Sequence, residues 1–289
     1  MEKRGEKFGV LCPVFQEKGG GSIWVSEQVC GVQAKEILGD QEIGEALGNA
    51  QSGTDDRDSV SKEAAEEKSR LERLVCETRA GETLEEAILT PELVSRLFYS
   101  EEISDDVRQR IWGRSYQEND QISLEDLRYL RVLHRGFDGA VHVGELMVHR
   151  QIADDVLEIM QQLYENDYPI EKMVLVDEYG GSDEASMEDN NTSAFNFRMI
   201  AGTNKMSNHS MGLAIDVNPR YNPYVKEKSS GELLVSPENG RTYVERSKDI
   251  PYEIQEGDLC LELFLEHGFT WGGNWNGVKD YQHFEKAFE

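Results

Sequence analysis

Apolar positions recur along this chain with two different periods, and the change between them separates expected helices from expected strands. The segment TPELVSRLFYSEEISDDVRQRIWGRSY, starting at Thr90, has helical spacing, with Thr90 before Pro91 as a natural cap. SLEDLRYLRVLHRGF repeats that spacing from Ser123, so a second helical stretch is expected there. Between Gly144 and Tyr168, the positions of Ile152, Val156, Ile159 and Leu163 predict a helix laid on a sheet. EGDLCLELFLEHG at 256–268 reads as a helix ended by its glycine. Three shorter runs read as strands: KMVLVDEY after Pro169, LAIDVN at 213–218, and YQHFEKAF near the end of the sequence. This order predicts an α+β fold with a central, mostly antiparallel sheet flanked by helices, since regular βαβ alternation is missing.

The first ninety residues break the pattern. GGGS at 19–22 and the charge-rich 50–70 bury too little apolar surface to hold a fold, apart from a helix expected around Lys62 to Glu77. The expected division is a flexible acidic region at 1–90, a helical lead-in at 91–140 and the domain that carries the chemistry at 141–289. Two polar insertions, at 180–193 and 226–249, read as surface loops of a length that often serves function.

Composition narrows the classes of partner. A net charge of −26 opposes approach to nucleic acid or an anionic membrane, and the 38% hydrophobic residues lie in short runs. None approaches the roughly 18 apolar residues of a membrane span. No signal peptide is read in MEKRGEKFGVLCPVF, whose apolar part is short and carries Pro13. Cys12, Cys30, Cys76 and Cys260 lack metal-type spacing and are expected to be free thiols; a monomer is the default.

The candidate chemistry starts in SNHSMGLAIDVNP. In a strand, Leu213, Ile215 and Val217 share one face, so Asp216 points the other way beside Gly212 and Ala214, over a floor of small residues. A turn at Gly212 brings His209 over the same floor, giving half of a zinc site. Of the other five histidines, His283 stands out, in WGGNWNGVKDYQHFEK with Asp280 three residues earlier. Three protein donors and an open fourth position are the usual catalytic arrangement. His209, Asp216 and His283 supply the three, and Asp280 is placed to take a proton from water. HExxH is absent. Ser207 has no base spaced to activate it, so it is expected to brace the His209 loop, and it stands with Trp271 and Tyr281 as a candidate substrate contact. Trp271 and Trp275 divide evenly between core and cleft wall.

S-x-H-x-x-G-x-A-x-D (Ser207, His209, Gly212, Ala214, Asp216) followed by D-x-x-H-F (Asp280, His283, Phe284) resembles the zinc peptidases of bacterial cell-wall peptides. These include D-alanyl-D-alanine carboxypeptidases, vancomycin-resistance dipeptidases and the L-alanyl-D-glutamate peptidases of phage endolysins. The resemblance covers roughly 141–289 and implies a Hedgehog-like zinc peptidase catalytic domain with one zinc per chain. It implies His209, Asp216 and His283 as ligands, Asp280 as general base and acid, and Arg198 as the arginine facing substrate, on its carbonyl oxygen or a carboxylate. Aspartate at 280 is more like the L-alanyl-D-glutamate group. The implied substrate is a peptidoglycan stem peptide, at the cell wall or outside the cell. The competing expectation is a silent metal-containing binding module on the same scaffold, which has no need of Asp280.

Overall fold

The computed structural model describes residues 54–200, 203–246, 250 and 252–288. The chain divides into two compact units, Met1–Thr78 and Arg79–Glu289. In the first, helix α1 (Thr54–Glu77) contains the helix expected there. Residues 1–53 of the flexible region expected at 1–90, the stretch read for a signal peptide, and Cys12 and Cys30, expected as free thiols, lie outside the described residues. Cys76 is disulfide-bonded, which corrects the free-thiol expectation, whereas Cys260 is free and buried. No described helix is long and apolar enough to cross a membrane.

The second unit is α+β, with antiparallel sheets. Strands β1 (Thr83–Leu84), β2 (Tyr99–Glu101), β3 (Leu127–Arg135) and β4 (Val141–His149) form a four-stranded sheet in the order β1-β4-β3-β2. Helix α2 (Pro91–Leu97) begins where the Thr90 hydroxyl accepts from the Leu93 amide at 3.2 Å, as its cap position predicts. Helix α3 (Asp105–Ile111) is capped in the same way by Ser104. Helix α4 (Ala153–Glu165) turns Val156, Ile159 and Leu163 inward and packs on β3. The short α5 (Asp183–Glu188) lies in the first polar insertion.

The helical reading of 123–137 fails, because LRYLRVLHR forms β3. Its inner positions are buried on both faces, so the alternation that marks a half-exposed strand is absent, and a continuous apolar run mimics a helix. The same cause hides β4 in the stretch before α4. Nor does KMVLVDEY become a strand. Asn191 occupies the place of a neighbouring strand, its Oδ1 accepting from the Val174 amide at 2.8 Å and its Nδ2 donating to the Val174 carbonyl at 2.9 Å. A 3-10 turn follows at Val176–Tyr179.

Two smaller sheets carry the site. Strand β5 (Ala214–Asp216) pairs with β10 (His283–Glu285), which pairs with β8 (Thr270–Trp271). Strands β6 (Tyr224–Glu227) and β7 (Leu233–Ser236) convert much of the second insertion into a hairpin, and β6 also pairs with β9 (Lys279–Asp280). Helix α6 (Leu259–Glu266) ends before Gly268, whose φ of +81° is the left-handed value such an end requires. Its Phe264 stacks on Phe284 of β10 at 4.1 Å and anchors the strand beneath the site.

Candidate metal centre

Strand register alone brings two of the expected donors together, because β5 and β10 set His283 directly opposite Asp216. His283 Nδ1 lies 3.0 Å from Asp216 Oδ1. His209 arrives from a 3-10 turn, Asn208–Met211, and places its Nε2 3.2 Å from Asp216 Oδ2. The turn is held at both ends. Ser207 is buried, with its hydroxyl accepting from the His209 amide at 3.3 Å, so its observed contact braces the turn. Gly212 closes the turn at φ +66°, and a Cβ there would lie 2.6 Å from the His149 amide nitrogen. Only glycine permits both that angle and that approach. The Gly212 carbonyl also accepts from the His149 amide at 2.8 Å, which ties the turn to β4.

The outer nitrogens of both imidazoles are already engaged. His209 Nδ1 lies 2.5 Å from the Ala194 carbonyl, an acceptor only, so this nitrogen donates and Nε2 keeps the lone pair. His283 Nε2 donates to Glu285 Oε2 at 3.0 Å, leaving Nδ1 facing inward. The two inward nitrogens are 3.2 Å apart. One donor atom from each of His209, Asp216 and His283 lies within 4.8 Å of the others, and all three residues are buried. Two imidazole nitrogens and a carboxylate oxygen converging in this way form a donor set of the kind that zinc takes. The group can hold a metal ion.

Electrostatics point the same way. Burial disfavours charge on His283, yet its hydrogen bonds to Asp216 and Glu285 outweigh it and push the imidazole up to about 10. Burial would raise Asp216, but the neighbouring His209 and His283 hold its carboxyl well below the usual range. The cluster therefore calls for positive charge, which without a metal is met by a proton. Asp280 behaves oppositely. Burial, helped by the negative charge of Asp216 and opposed by His283 and His209, pushes its carboxyl up to about 7. The residue as a whole is half-buried, but its Oδ1 is sealed from solvent and has no hydrogen-bond partner. Gly272 makes room for it: a Cβ at 272 would lie 2.5 Å from the Asp280 carbonyl oxygen and 2.8 Å from its Cβ.

The remaining expected residues are placed as follows. Arg198 has its backbone bound to both ends of the His209 turn: its carbonyl accepts from the Ser207 amide at 3.2 Å, and its amide donates to Ser210 Oγ at 2.9 Å. The guanidinium pairs with Asp183, and its Nε has no hydrogen-bond partner. Trp271 is buried, and its indole N–H donates to the Tyr281 carbonyl at 2.8 Å. The Tyr281 ring lies under the Arg246 guanidinium at 4.5 Å. Trp275 is the tryptophan whose ring lies against His283, 5.3 Å away. Sequence reasoning missed Asp183, which pairs with Arg198, and Asn208 and Glu285, which bond to each other across 77 positions.

Residues 201–286 match the family described as D-alanyl-D-alanine carboxypeptidase. The match contains His209, Asp216, Asp280 and His283, and it supports a peptidase family for this part of the chain. Neither a curated protein nor a solved structure matches the chain.

Proposed function

We propose that this protein is a zinc-dependent peptidase that cuts a peptide bond in peptidoglycan stem peptides, as an L-alanyl-D-glutamate endopeptidase or a D-alanyl-D-alanine carboxypeptidase. The carrying observation is the convergence of His209, Asp216 and His283 beside the half-buried Asp280, whose Oδ1 is sealed from solvent and unpartnered. The peptidase family matched by the same residues supports it. His209 Nε2, His283 Nδ1 and an Asp216 oxygen are the atoms that would hold the zinc. When bound, the ion supplies a water acidified toward neutral pH and a positive charge for the scissile carbonyl.

The chain's own groups do the rest. Asp280 Oδ1 accepts a proton from the attacking water and returns it to the leaving amine, so one carboxyl serves first as base and then as acid. The Ala194 carbonyl and Glu285 take the outer nitrogens of the two imidazoles and so turn the inner ones toward Asp216. Arg198, whose backbone is tied to the His209 turn, is the cation that would meet the carbonyl oxygen or a carboxylate of the substrate, once its guanidinium exchanges Asp183 for it. Such a substrate places the enzyme at the cell wall or outside the cell.

Zinc-loaded protein incubated with purified peptidoglycan, followed by mass spectrometry of the soluble fragments, tests the reading. A new free amine on D-glutamate identifies the endopeptidase, and loss of terminal D-alanine identifies the carboxypeptidase. Stoichiometric zinc with neither product would overturn the peptidase assignment and leave a metal-bearing binding module.

A further inference from the structure

Glu285 is the residue around which the two halves of the centre are joined. Its Oε2 accepts the His283 Nε2 proton at 3.0 Å and, on the same oxygen, the Asn208 side-chain amide at 2.6 Å. Asn208 immediately precedes His209, whereas Glu285 stands two places after His283 on β10. One carboxylate oxygen therefore fixes the ring orientation of one donor and links its strand to the turn that presents the other.

The two histidines are oriented by different means. His209 is set by a main-chain carbonyl, that of Ala194, which side-chain substitution does not remove. His283 is set by a side chain in contact with solvent, since 28% of the Glu285 side chain is exposed. Without Glu285, the His283 ring loses the acceptor that keeps its proton on the outer nitrogen, and β10 loses its tie to Asn208. Outer hydrogen bonds of this kind fix the tautomer and ring angle of a metal-binding imidazole, and their removal typically weakens metal binding about 10- to 100-fold.

We infer that Glu285 is a positioning residue for metal binding, acting through the Asn208–Glu285–His283 hydrogen-bond chain. This inference rests on the zinc reading above. A hydrogen-bond role differs from a general charge effect in what glutamine does at this position: Glu285→Gln keeps a carbonyl oxygen able to accept from both His283 and Asn208 but removes the charge.

The test measures zinc affinity of the full chain by competition with a chromophoric chelator, for the wild type, Glu285→Gln and Glu285→Ala. Thermal melting of the metal-free proteins verifies that each variant is folded. The expected order is wild type, then Gln, then Ala, with Ala weakened about 10- to 100-fold and Gln by clearly less. Asn208→Ala should move affinity in the same direction by a smaller factor. Wild-type affinity in Glu285→Ala overturns the inference, and an equal loss in Gln and Ala overturns it in favour of a charge effect. A wild-type protein that fails to bind one zinc per chain sinks the zinc reading itself, a result separable from either of these.

Discussion

Two histidine pairs in the Arg79–Glu289 unit have an aspartate within hydrogen-bond reach, and they are built for opposite ends. His134 and His142 face each other across β3 and β4, with their rings stacked 5.4 Å apart at 18°. His209 and His283 meet edge-on, 5.1 Å apart at 64°. In the stacked pair the nitrogens serve separate partners: His142 Nε2 bonds to Asp138 at 3.0 Å, while His134 Nδ1 donates to the Ile170 carbonyl at 2.8 Å. In the edge-on pair both inner nitrogens turn to one carboxylate. Charge follows from this. Burial outweighs the single carbonyl bond at His134 and lowers it from 6.5 to about 4, whereas two carboxylates outweigh burial at His283 and raise it to about 10. Residue inventory is nearly the same in the two places, so what separates a candidate metal centre from a structural pair is whether lone pairs converge.

Removing that convergence should give the largest effect. His283→Ala deletes one of three donors and uncovers Asp216, so zinc content measured by elemental analysis should fall from about one per chain to near none, and hydrolysis with it. A variant that keeps both would show that the edge-on pair is as structural as the stacked one. Next comes Asp280→Asn, which leaves all three donors in place. It should keep its zinc and lose about 10²- to 10⁴-fold in turnover on stem peptides, the usual contribution of a positioned base. Full turnover by the zinc-loaded variant would remove Asp280 from the mechanism.

The contrast also explains what the sequence could reveal. Local signals were readable: Thr90 before Pro91 capped α2, Gly268 ended α6, and the short runs around Asp216 and His283 became β5 and β10. The donors were legible because His209 and Asp216 lie in one short stretch and His283 in another, and the paired strands bring both stretches together. By contrast, β3 and β4 were hidden because both of their faces are covered, and periodicity cannot then distinguish strand from helix. His134, in the stretch expected to be helical, is in fact the cross-strand neighbour of His142. Glu285 and Asn208 were hidden for another reason: each looks like an ordinary surface polar residue until a contact spanning 77 positions is known.

The smallest effect expected lies in the stacked pair, and it bears on stability alone. The His134 imidazole is buried, its Nε2 has no partner, and burial lowers it to about 4 against an ordinary 6.5. Between these two values the unfolded chain binds a proton that the folded one refuses. Stability from this group is therefore complete above about pH 6.5, declines as pH falls toward 4, and levels off below; the full span is worth roughly 3 kcal/mol. Urea unfolding of the metal-free protein at steps from pH 7 to 4, compared with His134→Gln, isolates the contribution as the difference between the two slopes. Glutamine should flatten the curve in this window, at some cost in stability near neutral pH. Parallel curves for the two proteins would mean that His134 takes up its proton in the folded state, and the contrast with His283 would lose its electrostatic half.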